Sequence, residues 1–214
     1  MDRDRFRAFT NVSVVSLSRS MAKPVDENAP RVKGVAFRSI DTCYLELRGQ
    51  AAHARARGLM LPELAEAYRS GLILSASWYP IAWYRDALRA FRVASSDGPE
   101  LARQIGRLTV QHDMRSVYKQ LFLKLVSPQL LLSFSARLFN TYYDTGSLTI
   151  VESRRGYSLA RLEGCVGFDA NMWTEIIGAS ASMLEVAGAK EVRMHMRSGG
   201  HDGEETMDME AHWV

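Results

Sequence analysis

Three observations predict an α+β fold. The middle of the chain carries apolar residues at the three-and-four spacing of helix faces, as in Ile81, Tyr84, Leu88 and Phe91. After Gly146 the pattern switches to alternation, in SLTIVES and YSLARLE. A second alternating pair, VRMHMR and MDMEAHW, closes the chain. Consecutive strands with short turns pair antiparallel. The expected architecture is an antiparallel sheet of two hairpins plus an N-terminal strand, covered by a bank of about five to six helices.

The elements follow in order. Residues 1–30 read as a disordered leader and linker. MDRDRFRAFTNVSVVSLSRS is too polar for a secretory core, and its acidic residues argue against a transit peptide. A second methionine, Met21, is a candidate start, and MAKPVDENAP is a polar linker with two prolines. One α+β domain is expected over 31–214. VKGVAFRSI (32–40) reads as a β-type segment with Val35 and Phe37 on one side and Val32, Ala36 and Ile40 on the other. Asp41 or Thr42 can cap the next helix, CYLELRGQAAHARARG, which ends at Gly58. Pro62 suits the first turn of a short helix in LPELAEAYRSG.

SASWYPIAWYRDALRAFRVASSDG reads as a helix capped by Ser77, with Pro80 in an early turn. ELARQIGRLTVQ and MRSVYKQLFLKLV form one broken helix or two successive ones, and Ser127 and Pro128 open QLLLSFSARLFNTYY. The strands SLTIVES and YSLARLE turn at Arg154, Arg155 and Gly156, and pairing 151 with 159 puts Leu148, Ile150, Ala160 and Leu162 on one face. ANMWTEIIGASASMLEVAG is the last helix, closed by Gly188 at a left-handed cap. In the tail hairpin, pairing 195 with 208 sets Met194 opposite Met209, Met196 opposite Met207, Arg193 opposite Glu210 and Glu191 opposite His212. A two-residue shift keeps the same faces: one apolar and turned to the helices, the other charge-complementary.

Composition bounds the function. At 47% hydrophobic and 24% charged, the chain can bury a core without disulfide or metal staples. A net charge of +3 is far from the dense basic footprint of a dedicated nucleic-acid binder. No apolar run reaches the ~18 residues of a membrane-spanning helix. Cys43 and Cys165, in apolar surroundings, read as reduced, buried thiols of a cytoplasmic protein. The chain has no Walker loop, no dinucleotide glycine fingerprint, no G-x-S-x-G elbow and no H-E-x-x-H.

Several constellations are candidates for chemistry. His195, His201 and His212, with Asp202 or Asp208, have imidazole and carboxylate groups suited to a metal. Strand alternation alone accounts for them as a solvated sheet face, so no metal is expected; His195 beside Asp208 would make that face pH-responsive. At His112–Asp113, near Ser116 and Tyr118, Asp113 reads as a helix cap rather than the two as a base and its orienter. Arg85, Arg89 and Arg92 share one helical stripe and Arg103 and Arg107 another, candidates for phosphate diluted by Asp86 and Glu100. The aromatic residues Trp78, Tyr79, Trp83, Tyr84, Tyr118, Tyr142 and Tyr143 are the ligand or interface candidates. Such side chains dominate cores, but they also line apolar pockets.

In GLILSASWYPIAWYRDALRAF, SVYKQLFLKLVSP, LFNTYYDTGSLTIVE and AGAKEVRMHMRSGGHDGEETMDMEAHW, the chain resembles a myxobacterial family of proteins of roughly this length. That family is similar to the 4-vinyl-reductase domain and, more distantly, to haem-NO-binding domains and TRAPP vesicle-tethering subunits. The resemblance implies a regulatory or ligand-binding module that dimerises. The vinyl-reductase relatives carry cysteines near the terminal hairpin, where this chain has Ser198, Gly199, Gly200 and Thr206. The haem-NO-binding domains use a proximal His and a Tyr-x-Ser-x-Arg motif; here His112, Arg115 and Tyr118 stand in a different order. The resemblance therefore carries over fold and a sensing role, and no cofactor is expected. The function read from the sequence is a non-enzymatic cytoplasmic regulatory, ligand-binding or protein-interaction module, a homodimer that takes a small apolar ligand or a protein partner at an apolar pocket or interface between helices and sheet. The alternatives are a cofactor-dependent enzyme of reductase-like type and a nucleic-acid binder using the arginine stripes.

Overall fold

The computed structural model describes residues 29–113 and 127–214. The expected leader up to residue 28, and the segment MRSVYKQLFLKLV with Arg115, Ser116 and Tyr118, lie outside the described residues. The α+β architecture is as expected, with six helices and two antiparallel sheets among the described residues. None of these helices is long and apolar enough to cross a membrane.

Strand β1 (Arg31–Lys33) runs directly into helix α1 (Gly34–Leu59). The expected β-type segment over 32–40 is therefore helical from Gly34 onward. Its buried residues Ala36, Phe37, Ile40, Cys43 and Tyr44 follow the helical spacing, which a window ending at Ile40 could not separate from alternation. A side chain at Gly34 would meet the Leu74 carbonyl oxygen at 2.1 Å, so only glycine fits this strand-to-helix junction. Helix α1 bends at Gly49, where φ is 75°. Asp41 straddles the bend, accepting from His53 Nε2 at 2.8 Å and from Arg57 Nη2 at 2.7 Å.

After α2 (Pro62–Arg69), Trp78–Pro80 form strand β2 and pair with β1, Val32 opposite Tyr79. The expected helix start at Ser77 is thus delayed to α3 (Ile81–Ser95). Proline disfavours helical backbone at the residue before it, and Tyr79 takes the extended pairing instead. Helix α4 (Glu100–Asp113) and helix α5 (Pro128–Tyr142) follow, the latter capped by Ser127, whose hydroxyl accepts from the Leu130 amide. Strands β3 (Ser147–Arg154) and β4 (Tyr157–Glu163), helix α6 (Ala170–Val186) and strands β5 (Arg193–Gly199) and β6 (Met207–His212) complete the chain.

The large sheet has the order β3-β4-β6-β5, so the two hairpins join edge to edge through β4 and β6. The first hairpin keeps the expected register from Ser147 to Ile150, then bulges before Glu152. The tail hairpin takes the register shifted by two residues: His195 faces Glu210, Met194 faces Ala211 and Met196 faces Met209, with a bulge before Ser198. Both faces survive the shift, as period-two side chains require. Met194, Met207 and Met209 are buried, whereas Met196, on the edge strand, is 40% exposed. Cys43 and Cys165 are buried and form no disulfide.

Helices α4 and α6 make the most extensive helix–helix contact of the described residues. They cross where Gly106 meets the Glu175 carbonyl and Gly178 meets the Arg103 carbonyl; a Cβ would stand 2.0 Å and 2.1 Å from those oxygens. Both obstacles are backbone, so they cannot swing aside. Gly178→Ala is expected to destabilise the fold by about 1–3 kcal/mol through overpacking, lowering Tm by roughly 2–10 °C. Gly58→Ala, in a helix with nothing within 4 Å of the added carbon, is expected to leave Tm unchanged or raise it. Equal effects of the two substitutions in thermal unfolding would contradict the close crossing.

Candidate ligand-binding site

A cavity of about 120 Å³ lies between the helices and the inner face of the large sheet. Leu148, Ile150, Ala160, Met194 and Met209 form its floor. One stripe of α6 contributes Glu175, Ile176, Ala179, Ser180, Met183 and Leu184, and one stripe of α5 contributes Leu131, Ser135, Leu138, Phe139 and Tyr142. The space has a compositional origin. Ser158 and Ala160 occupy inner-face positions of β4, and Ala179 and Ser180 occupy the facing stripe of α6. Small side chains on both layers leave a gap that larger aliphatic ones would fill.

One wall of this apolar space is polar. Glu175, only 5% exposed, lines it together with Tyr84 and Tyr143. The Tyr143 hydroxyl donates to Glu175 Oε2 over a long 3.5 Å. Burial holds the Tyr84 phenol well above its ordinary pKa, and the Glu175 carboxylate and Tyr143 add to the effect. Tyr143 is raised in the same way, first by burial and then by Glu175. Both hydroxyls are therefore neutral donors at neutral pH. Position is enforced from outside: Val32 bridges Tyr143, and Arg31 grips Asp144 through its backbone amide and Nε, each at 2.5 Å. Phe37 packs edge-on against Tyr84 at 5.1 Å.

The sequence candidates divide. Tyr84, Tyr142 and Tyr143 line the cavity. Trp78, Tyr79 and Trp83 do not: Lys33 lies over the Trp78 ring, Tyr79 ties Leu72 to Leu74 through its hydroxyl, and Trp83 stacks on Tyr79. Glu175 escaped the sequence reading, although an acid flanked by apolar residues in MWTEII was its signal. The tail histidines are not brought together: His212 bonds Glu210 at 2.6 Å, His195 faces Glu210, and His201 is exposed on the turn. Asp208, expected beside His195, is held by both nitrogens of an Arg161 fork instead. His112 Nε2 meets Glu46 across to α1. Among the arginines, Arg85, Arg89 and Arg92 bond Gly167, Asp86 and Asn171, while Arg103 and Arg107 pair with Glu100 and Glu185. Burial pushes the Cys165 thiol up to about 12, which makes it an unreactive core residue.

No protein-family model matches the sequence, and no curated protein matches it. The fold is that of H-NOX proteins. An Fe(II) unliganded H-NOX protein from K. algicida is similar at TM-score 0.65 and 12% identity, over 85% of this chain and 96% of that one. An H-NOX protein from S. oneidensis in the Fe(II)NO ligation state gives 0.63 and 10%, over 85% and 99%. A third, concerned with haem redox potential and protein-induced porphyrin distortion, gives 0.59 and 10%, over 84% and 99%. These neighbours overturn the expectation of no cofactor, because the solved proteins that share this fold carry iron and haem.

The donor set of this chain nonetheless departs from an iron centre. Haem iron takes His, Cys thiolate, Tyr, or Met paired with His. None of the five histidines and neither cysteine lines the cavity. Burial disfavours the phenolates of Tyr84 and Tyr143, and methionine alone leaves the iron without an imidazole. A cavity of about 120 Å³ is also of the order of the ~150 Å³ that holds benzene, not the size of a porphyrin plate. Among the described residues, no imidazole or thiolate lines the cavity, and its volume is below that of a porphyrin.

The phenols set a pH dependence. A folded state that holds a proton more tightly than the unfolded chain loses stability as pH rises. Stability contributed by Tyr68, Tyr84 and Tyr143, all raised first by burial, is complete below the ordinary value of 10.0 and falls above it. Ultraviolet titration of the eight tyrosines is expected to leave these three silent until alkaline unfolding. Ionisation of all eight near pH 10 with helical signal intact would contradict their burial.

Proposed function

We propose that the chain is a ligand-binding regulatory module that takes a small, mostly apolar molecule between its helices and its sheet. The observation that carries this reading is the cavity lined from both layers, within a fold shared with proteins described by the state of a bound iron and its ligand. Apolar pockets with few polar groups are the usual form of small-molecule sites. A domain over 31–214, a cytoplasmic location and the narrower relationship to the myxobacterial, 4-vinyl-reductase and TRAPP families belong to this proposal. So does the homodimer that the resemblance implies, which sedimentation equilibrium tests.

Two measurements check the reading. An absorption spectrum of the purified protein is the first: an intense Soret band would replace this reading with a haem protein. Toluene, followed by ligand-observed NMR, is expected to bind saturably at one site. Ala179→Leu places a larger side chain on the α6 stripe that lines the cavity; it should weaken toluene binding by roughly tenfold or more while the protein stays folded. Unchanged binding in that variant would put the ligand elsewhere.

A further inference from the structure

The sheet side of the cavity specifies more than apolar character, and the inference below rests on the ligand-binding reading. Ser158 stands on the inner face of β4, opposite Ala211 of β6, and lines the cavity. It is 3% exposed. Among the described residues its hydroxyl makes no hydrogen bond and opens on the cavity. Helix hydroxyls at the same cavity are already engaged: Thr109 donates to the Gly106 carbonyl and Ser135 to the Leu132 carbonyl, each at 2.8 Å. A helix offers such carbonyls one turn back. Strand β4 offers none, because its backbone groups are taken by β3 on one side and β6 on the other. A buried hydroxyl without a partner is unfavourable, and a partner brought by a ligand removes that penalty.

We propose that the cavity selects an uncharged molecule that carries a hydroxyl or carbonyl oxygen on an apolar body. The oxygen pairs with the Ser158 hydroxyl, which can donate or accept, and the body lies over Ala160, Met194 and Met209. This pairing sits away from the buried acid. Helix α6 starts beside Phe168, whose ring stands 5.1 Å from Tyr143, and Glu175 follows in its second turn. Its other end leads to Lys190, which exchanges backbone bonds with Val214, next to Trp213 on the Gly156 carbonyl. Ser158, two residues from Gly156, belongs to that second end. A site built to hydrogen-bond an oxygen discriminates against the analogue lacking it, because its own polar group is then left unpaired. A single hydroxyl does not replace the hydration of an ion, so a charged carboxylate on the same body is disfavoured.

Ligand-observed NMR titration of the full chain with benzyl alcohol, acetophenone, toluene and benzoate tests the proposal, in the parent protein and in Ser158→Ala. In the parent, benzyl alcohol and acetophenone are expected to bind roughly threefold or more tighter than toluene, and benzoate most weakly. Ser158→Ala removes one oxygen and leaves the strand otherwise as it is. It is expected to weaken both oxygen-bearing probes by roughly three- to tenfold, with toluene unchanged or tighter. Equal weakening of toluene, or no change for the oxygen-bearing probes, overturns the Ser158 inference and leaves the cavity reading intact. If the variant does not fold, the rank order in the parent decides: toluene or benzoate binding as tightly as the oxygen-bearing probes overturns the inference. Failure of all four probes overturns both readings.

Discussion

The close crossing of α4 and α6 is the constraint on which the rest depends. Gly106 and Gly178 bring two backbones within reach of each other, closer than any pair of side chains would permit. That crossing sets where the α6 stripe lies above the sheet, and hence the height of the gap between layers. The stripe runs from Glu175 to Leu184, so the glycine contact at Gly178 falls within the ligand-facing stretch of the same helix. Backbone proximity on one side of α6 and small residues on the other are two consequences of the same short sequence, EIIGASASM.

Much of this fold was legible because alternation encodes faces directly. The tail hairpin turns Met194, Met207 and Met209 inward and its charges outward, as the sequence pattern requires. Its register was not legible, because either of two registers sets charges of opposite sign across the strands, and the structure takes the shifted one. The segment around Val35 and Phe37 was misread because nine residues satisfy both periods, and Trp78–Pro80 because an early-turn proline and a pre-helical strand look alike. In each case a tertiary partner, β2 for β1 and β1 for β2, decided the matter.

The site was legible in part. Tyr84, Tyr142 and Tyr143 were identifiable as large aromatics near element ends, but so were Trp78, Tyr79 and Trp83, which the fold places around the small β1–β2 pairing instead. Aromaticity alone does not separate a cavity wall from a packed corner. The more informative signals were the absent bulk at Ser158, Ala160, Ala179 and Ser180 and the acid Glu175 set among apolar residues. Fold similarity has the same limit: H-NOX architecture is shared at 10–12% identity, while no histidine or cysteine is among the residues described at the cavity.

Methionine methyl groups report the central claim most directly, because the chain places them on both sides of the question. Met183, Met194 and Met209 line the cavity, Met60 and Met172 are buried elsewhere, and Met196 is exposed. In NMR spectra of methyl-labelled protein under increasing xenon pressure, an apolar cavity predicts saturable shifts confined to the first three. Shifts led by Met60, Met172 or Met196, or no saturable shift at Met183, Met194 and Met209, would contradict a ligand-accessible space between helices and sheet.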